Sequence, residues 1–353
     1  MTHTPADLDF LRRLPKAELH LHLEGSVSPR TLSELSAKYS TPLETTNAKY
    51  RNVEDSARFL SEDDVRALYH YQDFTGFLMA FKAVTERLRT ADDYEFITYR
   101  LCQHLAEQGV RHAEVYVSVG VIFFRGQDFD PLFEGLDRGR RRAEQDFGIT
   151  LYWIFDAVRQ FGPEAATQVV EKAISLREHN VVGFGIGGDE RKAGPELFTE
   201  VYVHAARNGL RLTCHAGETT GPETIRGTLD LLKAERLGHA LSLATDDALL
   251  ARCAHERVPL EICLSSNVRT GCCARLDGHP LRKYFDAGAV VTLNTDDPEM
   301  FETSLLREYH LAQDVFGFRR EELRQLAANS IRASFLPEAQ KQALLAEIAN
   351  IDV

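Results

Sequence analysis

Residues 17–26 read Ala-Glu-Leu-His-Leu-His-Leu-Glu-Gly-Ser, and this alternation of leucine with polar residues predicts a β-strand. Side chains two residues apart on a strand point to the same side, so His20 and His22 are expected to project together. Two imidazoles placed in this way suit one metal ion, but a catalytic zinc site usually has three protein ligands and an open position. The alternative is that both histidines lie on the wet face of an edge strand. Further ligands at the ends of later strands would favour the metal site.

Seven more segments have the character of strands, and helical stretches separate most of them. These segments are 111–117, 149–155, 181–186, 210–215, 236–239, 259–263 and 290–294. Pro163 and Pro195 stand at first-turn positions of two intervening helices, where proline is favoured. Eight strand–helix repeats predict an α/β fold, a single (β/α)8 TIM barrel.

The chain is longer than such a barrel requires. A (β/α)8 barrel typically takes about 250 residues, and this chain has 353. The surplus is predicted to be a long helical insertion after the first strand, residues 25–109, and a helical C-terminal tail from about Ser304. Within the insertion, Asp92 is the candidate N-cap of a helix that ends at Gly109. No linker divides the chain, so residues 1–353 are predicted to form one domain with 25–109 as a lid-like insertion.

Composition restricts the partners of the protein. The formal net charge is −12 at pH 7, which argues against binding to nucleic acid or to an anionic membrane. No apolar run approaches the roughly 20 residues that span a bilayer, and the first residues lack the features of a signal peptide. The six cysteines show no paired framework. A cytoplasmic protein is therefore expected.

Polar residues gather where the predicted strands end. In a (β/α)8 barrel the chemistry lies at the carboxyl ends of the strands. The residues at these ends are His20, His22, His215, His239, Asp296 and Asp297. Three histidines and a carboxylate from three strands make a nitrogen-rich zinc site. One histidine at a strand end is usually structural, but several on one rim are hard to explain by packing.

Four motifs carry a resemblance to a known family. His20-Leu-His-Leu-Glu-Gly-Ser26, His215-Ala-Gly-Glu218, Leu237-Gly-His239 and Asn294-Thr-Asp-Asp-Pro298 resemble the motifs of the adenosine deaminase family of metal-dependent barrel hydrolases, in the same order. The resemblance extends over residues 14–333. It implies a hydrolase acting on C–N bonds in cyclic amidines, which replaces the 6-amino group of a 6-aminopurine by oxygen and releases ammonia.

The resemblance also implies the roles of individual residues. One Zn²⁺ ion would be held by His20, His22, His215 and Asp296. The proton donor to the purine ring would be Glu218, and His239 would stand beside the attacking water. The base would be held by Asp297 and by the backbone of Gly188.

The chemistry needs these residue types. A metal ion can lower the pKa of bound water to about 7, and Asp296 and His239 would orient the nucleophile or take its proton. Glu218 must be protonated to supply a ring nitrogen, which burial would favour. The alternatives are that Glu218 is a solvated loop carboxylate and that Asp297 is a helix N-cap in front of Pro298.

Departures from the pattern of the adenosine-specific enzymes reduce the number of candidate substrates. Glu24 stands where those enzymes have aspartate near the ribose 5′ end, and Gly185 stands where they usually have an acid. The sequence Cys263-Leu-Ser-Ser-Asn-Val268 also departs. These features resemble the branch that includes 6-aminodeoxyfutalosine deaminases of menaquinone synthesis, with adenosine as second candidate and adenine as the alternative. Phe77 is a candidate lining residue of the pocket, or else plain core.

Three other interpretations fit parts of the sequence. Residues 183–188 form a literal G-x-G-x-x-G, but no helix opens at once, so the glycines are interpreted as room for a ligand near the backbone. A barrel hydrolase of amides or phosphotriesters often has two metals bridged by a lysine on strand four, and strand four here contains none. A barrel that binds metal without turnover is disfavoured because every chemical role is filled.

Overall fold

The computed structural model describes residues 8–39, 59–71 and 74–351. Within them, eight parallel strands form one sheet in which each strand pairs with the next along the chain. This order confirms the (β/α)8 barrel. The strands are β1 (Lys16–His22), β2 (Val110–Val117), β3 (Thr150–Val158), β4 (Val181–Gly187), β5 (Arg211–Ala216), β6 (Arg236–His239), β7 (Pro259–Ile262) and β8 (Val290–Leu293).

The barrel closes through the residues that follow β8. The backbone N–H of Asp296 donates to the carbonyl of His20 (3.0 Å), and the N–H of His22 donates to the carbonyl of Asp296 (2.8 Å). Leu21 and Asp296 form a parallel bridge. Because these bonds lie at the carboxyl end of β1, the closure itself places Asp296 between the two histidines.

Helices alternate with the strands. They are α1 (Leu8–Arg13), α2 (Pro29–Ser36), α3 (Glu62–Tyr69), α4 (Phe74–Thr85), α5 (Ala91–Glu107), α6 (Val119–Phe124), α7 (Phe129–Phe147), α8 (Gly162–Ser175), α9 (Thr199–Arg207), α10 (Pro222–Gly227), α11 (Asp247–Glu256), α12 (Leu264–Arg269), α13 (Leu281–Asp286), α14 (Leu305–Phe316), α15 (Arg320–Ala333) and α16 (Glu338–Ala349). α8 packs on β3 and β4, and α15 packs on β8 and β1. Part of the predicted C-terminal tail is therefore an outer helix of the barrel. No helix in the described part of the chain combines the length and hydrophobicity of a membrane span.

The insertion 25–109 is helical where it is described, in α2, α3, α4 and α5. Its residues 40–58 and 72–73 lie outside the described residues. The N-cap predicted at Asp92 is wrong: the Thr90 hydroxyl accepts from the Asp93 N–H, and the Asp93 carboxylate accepts from the Thr90 N–H (3.0 Å). This reciprocal capping box satisfies two backbone donors, which Asp92 does not.

Two glycines of β4 are required by packing inside the barrel. A Cβ on Gly185 would lie 2.7 Å from Cε1 of Tyr116, whose ring crosses the interior, and one on Gly183 would lie 3.1 Å from the Arg211 carbonyl. The space in front of both glycines is filled by protein. Their interpretation as room for a ligand is therefore wrong.

Buried charges link three strands beneath the rim. The Arg236 guanidinium forms ion pairs with Glu114 and, at 2.6 Å, with Glu261, and all three side chains are buried. The burial of Arg236 would penalise its charge, but these two carboxylates raise its pKa above the usual value. The network joins β2, β6 and β7.

We expect Arg236→Leu to lower the free energy of unfolding of the metal-free protein by about 3–5 kcal/mol, because two buried carboxylates would lose their cation. Urea denaturation measures this value. Arg30→Ala is the matched control, since the Arg30 side chain is 71% exposed beside Glu34, and it should cost less than about 1 kcal/mol. Equal losses in the two variants would show that the buried network does not stabilise the barrel.

Candidate metal centre and active site

Four side chains bring one donor atom each to the carboxyl end of the barrel. His22 Nε2 lies 3.3 Å from Asp296 Oδ1 and 3.4 Å from His215 Nε2, while His20 Nε2 lies 3.5 Å from the same Asp296 oxygen. Metal–ligand bonds of about 2.0–2.1 Å in tetrahedral geometry separate neighbouring ligand atoms by about 3.3–3.4 Å. The donors are therefore spaced to hold one zinc-sized ion. All four residues are buried.

The imidazole rings are oriented by bonds on their far side. His20 Nδ1 lies 2.8 Å from Glu261 Oε2, and His215 Nδ1 lies 3.1 Å from the carbonyl of Ile186. His20 Nε2 is buried and has no hydrogen-bond partner among the described residues. Ligating histidines commonly bond a carboxylate or carbonyl through the second nitrogen in this way. The site thus leaves the Nε2 atoms for a cation.

His239 stands on the other side of the Asp296 carboxylate. Its Nε2 lies 4.0 Å from Asp296 Oδ2, and its Nδ1 lies 3.0 Å from the side-chain amide of Asn267. Oδ2 also accepts a 2.6 Å hydrogen bond from Ser266. Burial lowers the pKa of His239 to about 3, so its ring is neutral and can accept a proton. His239, His20, His215 and Asp296 also form a group that could hold a metal ion, but His22 makes the shorter contacts.

Two residues of this rim have strained backbones. Asp296 has φ of +66° and His239 has φ of +62°. Non-glycine residues adopt this left-handed region at a cost, and such strain clusters at functional sites. At Asp296 the conformation is held by the two backbone bonds that close the barrel.

Glu218 approaches the site from the loop after β5. Its Oε1 lies 3.8 Å from His239 Nδ1, and its side chain is 17% exposed. The N–H groups of Gly217 and Glu218 donate to the buried Glu190 carboxylate at 2.9 and 3.0 Å, which fixes the loop. Burial, reinforced by the charge of Asp296, raises the pKa of Glu218 to about 8. A pKa in this range favours the protonated form that a proton donor needs at neutral pH, whereas a solvated carboxylate would be ionised.

Asp297 is buried next to the turn that follows β1. A Cβ on Gly25 would lie 1.9 Å from Asp297 Oδ1, so only glycine fits there. That oxygen has no hydrogen-bond partner among the described residues. Burial, then the charge of Asp296, raises the pKa of Asp297 well above its usual value. The N-cap alternative is wrong, because residues 298–302 form turns and the next helix begins at Leu305 with Ser304 as its cap.

The three other candidate residues lie around this centre. Glu24 is buried, and its two oxygens accept from the N–H (3.1 Å) and hydroxyl (3.3 Å) of Ser118. Gly188 is exposed at the mouth with φ of +94°. Phe77 stacks on Phe301 at 5.5 Å between ring centroids, which brings α4 over the loop after β8.

Sequence reasoning missed three buried carboxylates: Asp156 in β3, Glu190 after β4 and Glu261 in β7. The signal for Asp156 and Glu261 was an acidic residue inside an otherwise apolar strand. Glu261 orients His20, and Glu190 holds the Glu218 loop. Asp156 has neither kind of contact.

The chain is similar to characterised proteins over nearly its full length. Residues 15–351 match the family model described as adenosine deaminase. The aminodeoxyfutalosine deaminase of Streptomyces avermitilis is 39% identical over 341 residues, 96% of this chain and 91% of that protein. The adenine deaminase of Sinorhizobium medicae is 34% identical over 95% of this chain and 98% of that protein.

Solved structures share the architecture. The adenine deaminase of Arthrobacter aurescens superposes with a TM-score of 0.85 at 30% identity, covering 95% of this chain and 98% of that one. An amidohydrolase of Burkholderia ambifaria with bound Zn also gives a TM-score of 0.85, at 27% identity, covering 99% of this chain and 93% of that one.

We expect His20→Ala, His22→Ala, His215→Ala and Asp296→Ala each to lose bound metal, because each removes one of the converging donor atoms. His239→Ala should keep the metal and lose turnover. Metal per chain is measured by mass spectrometry after dialysis, with the surface variant His204→Ala as control. A metal-free His239→Ala beside a metal-replete His22→Ala would make His239 the third histidine ligand.

Turnover should fall as the pH rises through about 8, because Glu218 then loses its proton; a cation in the neighbouring site would move this limb to lower pH. Glu218→Gln should keep metal and fold and lose about 10²–10⁴-fold in turnover. A pH–rate profile of both proteins, with melting curves as controls, tests this. Undiminished turnover in Glu218→Gln would mean that the ring is protonated from elsewhere.

Proposed function

Because this chain belongs to the adenosine deaminase family, we propose that it hydrolyses the 6-amino group of 6-aminodeoxyfutalosine with zinc as its metal and releases ammonia. At the broader level it is an adenine/adenosine-type deaminase, a hydrolase. The observation that carries the proposal is the convergence of four buried donor atoms next to a protonated Glu218.

The side chains divide the reaction between them. His20, His22, His215 and Asp296 would hold the metal ion, which would supply a water nucleophile at neutral pH, since such ions lower the pKa of bound water to about 7. The neutral His239 orients that water and, with Asp296, accepts its proton. Glu218 donates its proton to the ring nitrogen, so attack at C6 builds no anion on the purine. Asp297 and the Gly188 N–H hold the two flanks of the base.

The substrate assignment draws on the relatives and on Glu24. Two aminodeoxyfutalosine deaminases from Streptomyces species are 39% and 37% identical to this chain. Adenosine is the second candidate. Adenine is favoured by a separate observation, the similarity to adenine deaminases at 34% identity and to a solved one at 30%. With 6-aminodeoxyfutalosine as substrate, the enzyme would serve menaquinone synthesis.

Glu24 is assigned to the sugar side of the substrate. Its carboxylate is oriented by Ser118, and each oxygen retains capacity to accept a further bond. It stands two residues after His22, at the start of the helical turn Glu24–Ser26. The insertion 25–109 is assigned as a lid over the base. It belongs to the same single domain as the barrel. Phe77 on Phe301 and the Tyr71 hydroxyl on the Met300 carbonyl (3.0 Å) fasten it to the loop that carries Asp297.

We expect ammonia release from a panel of adenine, adenosine, methylthioadenosine and 6-aminodeoxyfutalosine to be fastest, as kcat/KM, with 6-aminodeoxyfutalosine. The physical reason is that contacts to the sugar side of the substrate stabilise the transition state and so raise kcat/KM. Metal-free protein is the control. A preference for adenine would establish the alternative, and no release from any compound would refute the proposed deaminase.

Glu24→Ala should keep its metal and reduce kcat/KM for the best nucleoside by at least about 10-fold more than for adenine, because losing a buried polar contact discriminates between substrates that make it and substrates that do not. Metal content and the same ammonia assay measure this. An equal reduction for adenine and nucleoside would show that Glu24 serves the metal site instead of the sugar.

A further inference from the structure

Asp156 is a buried carboxyl without a hydrogen-bond or ion-pair partner among the described residues. It lies near the carboxyl end of β3 and is 5% exposed. Its Oδ1 has no hydrogen-bond partner, and none of the residues 8–39, 59–71 and 74–351 forms an ion pair with it. Burying such a group without a partner is costly, and buried polar groups are nearly always satisfied. A structural role would require a contact that this carboxyl does not make.

Arg159, the arginine that acts electrostatically on Asp156, is committed elsewhere. Arg159 Nη1 donates to the carbonyl of Ala193 (3.3 Å), and Nη2 donates to the carbonyl of His215 and to Cys214 Sγ. The guanidinium therefore fastens the end of β5 and does not pair with Asp156. Burial raises the pKa of Asp156 to about 8, and the neighbouring Glu24 adds to the shift.

The Asp156 carboxyl lies beside a residue of the metal centre. A Cβ on Gly187 would lie 3.4 Å from Asp156 Oδ2 and 3.3 Å from His215 Cε1. Both contacts would be tight, so Gly187 lets the carboxyl and the histidine ring lie close together. The unsatisfied acid therefore borders the metal centre.

We propose that Asp156 is a specificity residue that binds a ribose hydroxyl of the nucleoside substrate. This inference rests on the proposed deamination of a 6-aminopurine nucleoside. Glu218 and Asp297 are assigned to the two edges of the base that flank the reacting carbon. Asp156 and Asp297 both interact electrostatically with Glu24, which is assigned to the sugar side of the substrate.

Among the substrate atoms that Glu218 and Asp297 do not bind, a ribose hydroxyl is the best partner for Asp156. Purine N3 offers only a lone pair, whereas a ribose hydroxyl both donates and accepts. It can therefore satisfy the Asp156 carboxyl in either protonation state. A free base carries no hydroxyl, so the contact would distinguish nucleoside from adenine.

The test measures kcat/KM of Asp156→Ala and Asp156→Asn for adenosine, 2′-deoxyadenosine, 3′-deoxyadenosine and adenine. For Asp156→Ala we expect a loss of at least about 10-fold on adenosine, because the site would lose a buried polar contact to a substrate hydroxyl. The loss should be under about 3-fold on adenine and should disappear for the deoxynucleoside that lacks the bonded hydroxyl. Asp156→Asn should recover part of the adenosine activity, because its amide can still bond a hydroxyl.

Two further readouts separate binding from a structural role. The melting temperature of metal-free Asp156→Ala should not fall, since no protein contact is lost, and its metal content should equal that of the wild type. Glu261→Gln is the matched control: it alters a buried carboxyl that orients His20, so it should lower the melting temperature and affect all substrates alike.

The outcomes are distinct. Equal losses on adenine and adenosine, a lower melting temperature, or lost metal in Asp156→Ala would overturn the assignment of Asp156 while leaving the deaminase intact. An adenosine loss that persists unchanged on both deoxynucleosides would also overturn it. Absence of ammonia release by the wild type from these four compounds and from 6-aminodeoxyfutalosine would instead refute the proposed function.

Discussion

The site depends on the way the barrel closes. Two backbone hydrogen bonds join Asp296 to His20 and His22, and they hold Asp296 at a φ of +66°. Ligands that lie 276 residues apart in the chain thereby become neighbours, without relying on flexible side chains for the approach. The strain at Asp296 is offset by the closure of the sheet, which would otherwise leave the ends of β1 and β8 unpaired.

Several buried carboxyl groups lie around this junction. The pKa values of Glu24, Asp156, Glu218 and Asp297 are all raised, in each case chiefly by burial. That of Asp296 is lowered well below its usual value, because the hydrogen bond from His20 and the surrounding histidines outweigh the cost of its burial. Metal and substrate would supply the missing positive charge and hydrogen bonds. Several polar groups of the centre thus lack a partner among the described residues, as expected where binding free energy supports catalysis.

Much of this could be predicted from sequence, because the relevant signals are local. Apolar runs with clear ends located the eight strands to within a few residues, and strand ends located the histidines, Asp296 and Glu218. What failed depended on tertiary contacts. The N-cap of α5 is Thr90 because Thr90 and Asp93 form reciprocal hydrogen bonds. Glycine is required at position 185 because the Tyr116 ring lies against it inside the barrel. Asp156 and Glu261 look alike in sequence, and only the presence of Arg236 and His20 beside one of them separates their roles.

X-ray absorption spectroscopy at the zinc edge of the metal-loaded protein tests the central claim, that β1, β5 and the closure of the barrel together hold one zinc ion. The account predicts one zinc per chain with a first shell of nitrogen and oxygen only, at about 2.0–2.1 Å, and multiple scattering from three imidazoles. A sulfur shell at about 2.3 Å, or a zinc environment without imidazole, would contradict it.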